Sequence, residues 1–338
     1  MTNTKLNQNQ LNDYNFNYGL SRNAIINGNF DVWQRGTSIA MTAANAYTAD
    51  MWYCETATAG TDKTVSQQTA GLNGSLYSCR VAMVQDQDEL LTFSQALESK
   101  DSIKFRGQKM TLSFWAKGGA EFVADNATLV SKIVTGKGTD QKVLAFTTSA
   151  DGVSQNNTLT TSWVKFTCTT TAAIASDITQ IGVSFAFTHA GSGTTTNYFE
   201  VTQVQLCAGD VALPFMPKSD SQQRLDCYKF CVAYTSAQIS ARMGGVGFAA
   251  DTTHAYIPFI FPVPMKTVPT LTVTAADWLL SDDTTNTDLT AMQILANVNS
   301  NMDIHVYCTV ASGLTAFRPY MLQADGNANK LLYFSADF

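Results

Sequence analysis

The chain has 338 residues, a formal net charge of −6 and only 14% charged residues, well below the roughly 25% of ordinary globular domains. An acidic balance without any basic run excludes a phosphate-tracking nucleic-acid binder, which concentrates Lys and Arg on one face. No stretch reaches the roughly 18 apolar residues of a membrane span, and Met1 to Gln10 lacks the apolar core of a secretory signal, so neither membrane insertion nor a signal peptide is expected.

Residues 1–21 form a polar arm rich in Asn and Gln, in which Tyr14, Phe16 and Tyr18 alternate with Asn15 and Asn17. That period-2 pattern puts three aromatics on one side of an extended segment. Docking onto a neighbouring chain uses such a stripe; a strand laid on its own domain, or a disordered tail, is the alternative.

From Asn23 to Thr37 the chain has an apolar entry, an Asn27-Gly28 turn, Phe30 and Trp33 three apart, and an Arg-Gly-Thr exit. This is the compact opening of a β domain, with Phe30 and Trp33 in its core. Strand signals then run to about Pro217. Tyr77, Cys79, Val81 and Met83 alternate with Ser78, Arg80 and Ala82, while Met110, Leu112, Phe114 and Ala116 alternate with Lys109, Thr111, Ser113 and Trp115. Val164, Phe166 and Cys168, and Ile181, Val183, Phe185 and Phe187, give two further faces. Each set turns one side to a core and one outward, and Gly, Asn and Ser clusters punctuate the gaps, so a sandwich is expected. Phe199 and Val201 differ in parity from Val204 and Leu206, which places a β-bulge near Thr202-Gln203.

One helix follows, with Ser219 as cap, Gln222 as capping-box partner, and Leu225, Tyr228, Cys231 and Val232 as its buried stripe. It is expected to connect two domains. From about Ser236 the pattern is β again, through Ile257, Phe259, Phe261 and Val263, Ile304, Val306, Cys308 and Val310, and Leu332, Phe334 and Ala336. Pro258, Pro262 and Pro264 share the opposite parity, and because proline donates nothing to a ladder this strand is expected at an edge or a bulge.

Catalytic signals are sparse. His189, His254 and His305 lack metal-ligand spacing, no Gly-x-Ser-x-Gly elbow occurs, and Gly136-Lys137-Gly138-Thr139 lacks the phosphate loop's preceding glycine. Cys227 and Cys231 are at most half a zinc site, and the seven scattered cysteines are expected as free, mostly buried thiols. A glycosidase needs only two suitably spaced carboxylates, but Glu55, Glu89, Glu98, Glu121 and Glu200 offer no preferred pair. The expectation is therefore no enzyme and no cofactor.

Outward aromatics say more. Trp115 and Trp163 each lie on the polar parity of a strand whose other face is apolar, where an indole stacks on a sugar or fills a subunit contact. The alternative is a Trp covered by a loop of its own domain. Asp31 and Glu200, acidic residues near the two ends of the first domain, are the weak candidates for a calcium link.

Several stretches together resemble a known family. Asn23 to Thr37 followed by Tyr47-Thr48-Ala49-Asp50-Met51-Trp52 resembles the opening of the carbohydrate-binding-module-like jelly roll of bacteriophage tail and fibre proteins. Gln108 to Lys117 resembles its central strand, and Phe199 to Phe215 its closing strand and exit. The segment around Cys227-Tyr228 is similar to the connector, and Phe261-Pro262-Val263-Pro264-Met265, Arg318-Pro319-Tyr320 and Ala324-Asp325-Gly326 to the C-terminal β domain. The chain departs from that pattern at Met51, Cys207 and Met216-Pro217.

The resemblance implies an all-β chain: arm 1–21, jelly-roll sandwich 22–217, helical connector 218–236, and a second, smaller β-sandwich 237–338. It implies a virion component of fibre, tail or capsid-surface type, made in the host bacterium and homo-oligomeric, with a trimer expected. The arm would hold it to other virion proteins and the jelly roll would touch host-surface glycan. A capsid decoration or tail-assembly protein that binds no glycan is the rival, and a polysaccharide depolymerase the more distant one.

Overall fold

A computed structural model of the chain describes residues 23–338 apart from 85–88, 126–127, 189–193, 237, 239, 296–299 and 327–328. The described residues form two compact units, the first reaching to Asp220 and including Phe338, the second Ser221–Asp337. The regular structure of both is mostly strand, as the alternating sequence leads one to expect.

The strands of the first unit are β1 (Ser38–Ala40), β2 (Asn45–Tyr47), β3 (Tyr53–Thr56), β4 (Lys63–Leu72), β5 (Ser75–Met83), β6 (Leu90–Ala96), β7 (Met110–Gly118), β8 (Thr128–Gly136), β9 (Ala150–Thr158), β10 (Val164–Thr169), β11 (Gln180–Thr188) and β12 (Tyr198–Ala208). They form two six-stranded antiparallel sheets, ordered β1-β4-β5-β12-β7-β10 and β2-β3-β6-β11-β8-β9, the two layers of a jelly roll. The inward parities meet in one core that includes Cys79, Val81, Leu112, Phe114, Phe185 and Phe199. Trp52 stacks on Phe93 with ring centroids 4.8 Å apart, and Phe114 meets Phe185 edge-on at the same distance.

The opening segment is clamped to β12. The backbone N–H of Val204 donates to the Gly28 carbonyl at 2.8 Å, and the Asn23 side-chain amide donates to the Val204 carbonyl at 2.9 Å. The bulge stands where alternation puts it: register shifts between Thr202 and Gln205, and Gln203 takes a φ of +51°. Phe30 is buried and Trp33 packs partly buried against the same core, its indole N–H donating to the Phe30 carbonyl at 2.9 Å.

The second unit contains β13 (Cys231–Thr235), β14 (Arg242–Ala249), β15 (His254–Ile260), β16 (Thr270–Val273), β17 (Trp278–Ser281), β18 (Asn286–Ile294), β19 (Asp303–Val310), β20 (Pro319–Ala324) and β21 (Leu331–Ser335). Here the structure refines the second β-sandwich expected from sequence. Six strands close into a barrel, β14-β15-β19-β18-β17-β20, beside a three-stranded sheet β13-β21-β16. Closure removes the exposed edges that an open sheet leaves, and alternation along a strand is the same in either arrangement.

Two local expectations are corrected. The helix spans Asp220–Tyr228 and buries Gln223 and Cys227, while Leu225 is 40% exposed. Cys231 and Val232 belong to β13 and pair with Ser335 and Phe334 of β21, so the apolar run was split between a helix and a strand. Pro258 lies within a strand of the barrel wall, opposite His305 on β19, not on a sheet edge. The ladder from β15 to β14 is confined to Phe248–Tyr256 and Ala249–Ala255, and β14 shifts register between Met243 and Gly247. A Cβ on Gly245 would come within 2.9 Å of the Pro258 ring, so glycine in the neighbouring strand makes room for the proline.

Candidate functional site

In β7 the core takes Met110, Leu112, Phe114 and Ala116, which turns Thr111, Ser113, Trp115 and Lys117 to the opposite face. In β10 the register Val164–Ala116 and Lys165–Trp115 sets Lys165 beside Trp115 and brings Trp163, one residue before the strand, opposite Lys117. The two tryptophans therefore share one face, each across from a lysine. Both rings are half-buried and Lys165 is exposed. The Lys117 ammonium stands 4.8 Å from the Trp163 ring centroid, within cation–π range. The Trp163 indole N–H donates to the Ala70 carbonyl at 2.8 Å. β10 is the outermost strand of its sheet, so this corner is bounded on one side only.

The same rung continues inward to Glu200, which is 1% exposed and paired by register with both Arg80 and Lys117. Arg80 donates to Glu200 Oε1 from Nε at 3.0 Å and from Nη2 at 2.6 Å, and the Ser78 hydroxyl donates to Oε2 at 2.9 Å. Lys117 Nζ lies 3.3 Å from Oε2. Arg80 also sits 3.7 Å from the Tyr198 ring centroid. Glu200, a calcium candidate from sequence, thus anchors two cationic side chains on the outer face.

Along β12 this face is covered by the unit's own chain. Thr202 donates to the Tyr77 carbonyl at 2.8 Å and Gln203 to the Asn73 carbonyl at 2.8 Å, which lays the β4–β5 hairpin across β12. Gln205 donates to the Leu213 carbonyl at 3.0 Å, and Thr111 to the Gly209 carbonyl at 2.8 Å, so the segment after β12 covers the other end. Towards the β10 edge the corner of Trp115, Lys117, Trp163 and Lys165 is left accessible, beside the exposed Thr167.

The other sequence candidates are scattered. Asp31 accepts a side-chain hydrogen bond from Asn29 at 3.3 Å, and among the described residues no group of three or more His, Cys, Asp and Glu side chains is disposed to hold a metal. Glu89 is paired with Lys63, Glu98 lies 3.7 Å from Lys100, and Glu121 accepts from the Thr194 backbone at 2.6 Å. Burial pushes the Glu55 carboxyl up, against the pull of Lys142. All seven cysteines are free and buried; burial pushes Cys207 up to about 11 and Cys308 up to about 12. Tyr14, Phe16 and Tyr18 of the arm, and His189, lie outside the described residues.

Sequence reasoning passed over two features of the second unit. Phe248, Tyr256 and Tyr307 form one aromatic rung across β14, β15 and β19, with centroids 5.9 and 5.2 Å apart, and His254 stacks on Tyr307 at 4.8 Å. Their parity opposes that of Ile257, Phe259, Ile304 and Val306, the same signal that singles out Trp115 and Trp163. Nearby Phe317 holds a φ of +65° while 82% exposed, a backbone conformation that costs a bulky residue about 1–2 kcal/mol. A polar cavity of about 670 Å3 lies between Thr272, Thr274, Asp277, Lys330 and Tyr333, with Lys330 paired to Asp277.

No protein-family model and no curated protein matches the chain. Solved structures resemble part of it. The enzymatically active domain of tailspike protein 4 from bacteriophage CBA120 aligns over 55% of this chain and 21% of its own, at 14% identity and a TM-score of 0.36. TmCBM61, solved in complex with beta-1,4-galactotriose, aligns over 56% of this chain and all of its own, at 13% identity and a TM-score of 0.34. The CBM22-2 xylan-binding domain from Paenibacillus barcinonensis aligns over 51% of this chain and 98% of its own, at 15% identity and a TM-score of 0.30. Likenesses this distant carry no inference about ligand or activity. Among the described residues, no helix is long and apolar enough to cross a membrane.

Proposed function

We propose that the chain is a bacteriophage virion structural protein of fibre or tail type, homo-oligomeric, whose jelly roll contacts glycan on the host surface. The observation that carries the adhesion reading is the pairing of Trp115 and Trp163 on one outward corner of β7 and β10, half-exposed and beside an edge strand. An indole offers a flat apolar face for the C–H side of a pyranose. The virion reading is supported by the ordered resemblance of the sequence from Asn23 to its C-terminal β segments. Binding rather than catalysis fits the carboxylates, since Glu89 and Glu200 are committed to Lys63, Arg80 and Lys117.

A purely structural role is the second reading, in which the jelly roll holds the particle together and binds no sugar. It is favoured by the Trp163 N–H bond to Ala70, which uses that ring's polar edge inside its own unit. The double variant Trp115→Ala, Trp163→Ala separates the two. Loss of glycan-array signal with an unchanged oligomeric mass in light scattering is the expected result; loss of oligomerisation with no glycan signal from the parent protein would establish the structural role instead.

A further inference from the structure

Across the β7–β10 pair the side chains that oppose the two indoles are both ammonium groups. Lys117 and Lys165 are each set directly across a strand pair from a tryptophan, the first by extension of the register and the second within it. Directly opposed side chains on one face have Cβ atoms about 4.5–5.5 Å apart, so a ring stacked on either indole lies within reach of the facing ammonium. An ammonium has three donors and no acceptor. A sugar hydroxyl uses only its accepting side on such a group, whereas a carboxylate on the ring is acceptor-only and charged and so is the fuller match.

The charge count points the same way. The chain as a whole carries −6, yet Arg80, Lys117 and Lys165 share this face with one carboxylate, Glu200. That carboxylate is buried and held by Arg80 and Lys117 together, so it neutralises one of them. Lys165 is exposed and makes no ion pair among the described residues. A cationic corner on an acidic protein, with its two indoles on one diagonal and its two lysines on the other, is complementary to a chain that alternates pyranose faces with negative charge.

We propose that the Trp115–Lys117–Trp163–Lys165 corner binds acidic glycan, meaning polysaccharide with carboxylate-bearing pyranose residues. The indoles take the ring faces and the lysines take the carboxylates. This inference rests on the reading of the same corner as glycan-binding and adds the ligand's chemical class.

The test uses the full chain against polygalacturonate, hyaluronate and polysialic acid, each beside its carboxyl-reduced counterpart, at low and high salt, with a single-stranded oligonucleotide as a non-glycan polyanion. Acidic polymers are expected to bind, with affinity that falls as salt rises, and the reduced forms to bind at least tenfold more weakly. Lys165→Gln is expected to lose about tenfold on the acidic polymers, the lower range for a charged hydrogen bond, and nothing on the reduced ones, with Lys165→Arg retaining binding. Lys100→Gln, in a helical turn that packs on the other sheet, should leave binding unchanged. Lys165 is exposed, so an unaltered thermal melt separates lost binding from lost folding. Equal binding of acidic and reduced polymers, or oligonucleotide binding as tight as the acidic glycans, overturns the acidic class while leaving a carbohydrate or general-anion surface to be read from the Trp115→Ala, Trp163→Ala variant. Absence of binding to every polymer overturns both this inference and the adhesion reading beneath it.

Discussion

Lys63 is 1% exposed, and a buried ammonium persists only where partners replace its water. Glu89 lies 2.8 Å away and Asp62 3.4 Å, and the Thr58 carbonyl and hydroxyl each accept from it at 3.2 Å. Burial opposes ionisation of Glu89, but hydrogen bonds from Lys63, Thr56 and Thr58 outweigh it and hold the carboxyl at about 2, below its ordinary 4.5. A depressed carboxylate contributes stability at pH values above its unfolded pKa and loses it as the pH falls through the folded one. This cluster should therefore stabilise the first unit fully above about 4.5 and fail progressively towards 2. Glu89→Gln leaves Lys63 short of a counter-charge and is expected to cost about 3–5 kcal/mol at neutral pH. Urea unfolding at neutral and acid pH checks it: the variant's deficit should shrink as the parent protonates, and an unchanged deficit would show that packing, not charge, is at stake.

At the scale of elements, β12 joins the core to the outer face. Its bulge returns Phe199, Val201, Val204 and Leu206 to one core and leaves Thr202, Gln203 and Gln205 to hold the hairpin and the following segment. The opening turn fits against that bulge only because position 28 has no side chain: a Cβ there would stand 2.2 Å from the Val204 carbonyl oxygen. That neighbour is backbone and cannot rotate away. Gly28→Ala should therefore destabilise by about 3 kcal/mol, the upper range for overpacking, measured as a lower urea midpoint. A neutral result would mean that the opening segment is not held at β12 in solution.

For the whole molecule, each unit has its own buried core among the described residues. If the arm attaches the protein to the particle, as its aromatic stripe suggests, deleting residues 1–21 should leave both cores intact by thermal melting and abolish incorporation into virions. Normal incorporation of the deleted protein would remove the arm from the attachment reading without touching the glycan-binding corner.

Alternation by itself determined the class of the molecule, the outward side of Trp115 and Trp163, and the bulge at Thr202-Gln203, because side-chain direction along a strand is a local, period-2 property. Composition likewise foretold free, buried cysteines. What it left open depended on segments far apart in the chain. Closure of the barrel around Pro258, the division of the Leu225 to Val232 run between helix and strand, and the hairpin laid over β12 were all decided by pairing partners distant in sequence. The pairing of each tryptophan with a lysine was decided by register, and the exposed corner by what else the chain had covered. Local sequence gives a side chain its direction; only tertiary structure decides what stands opposite it and whether water reaches it.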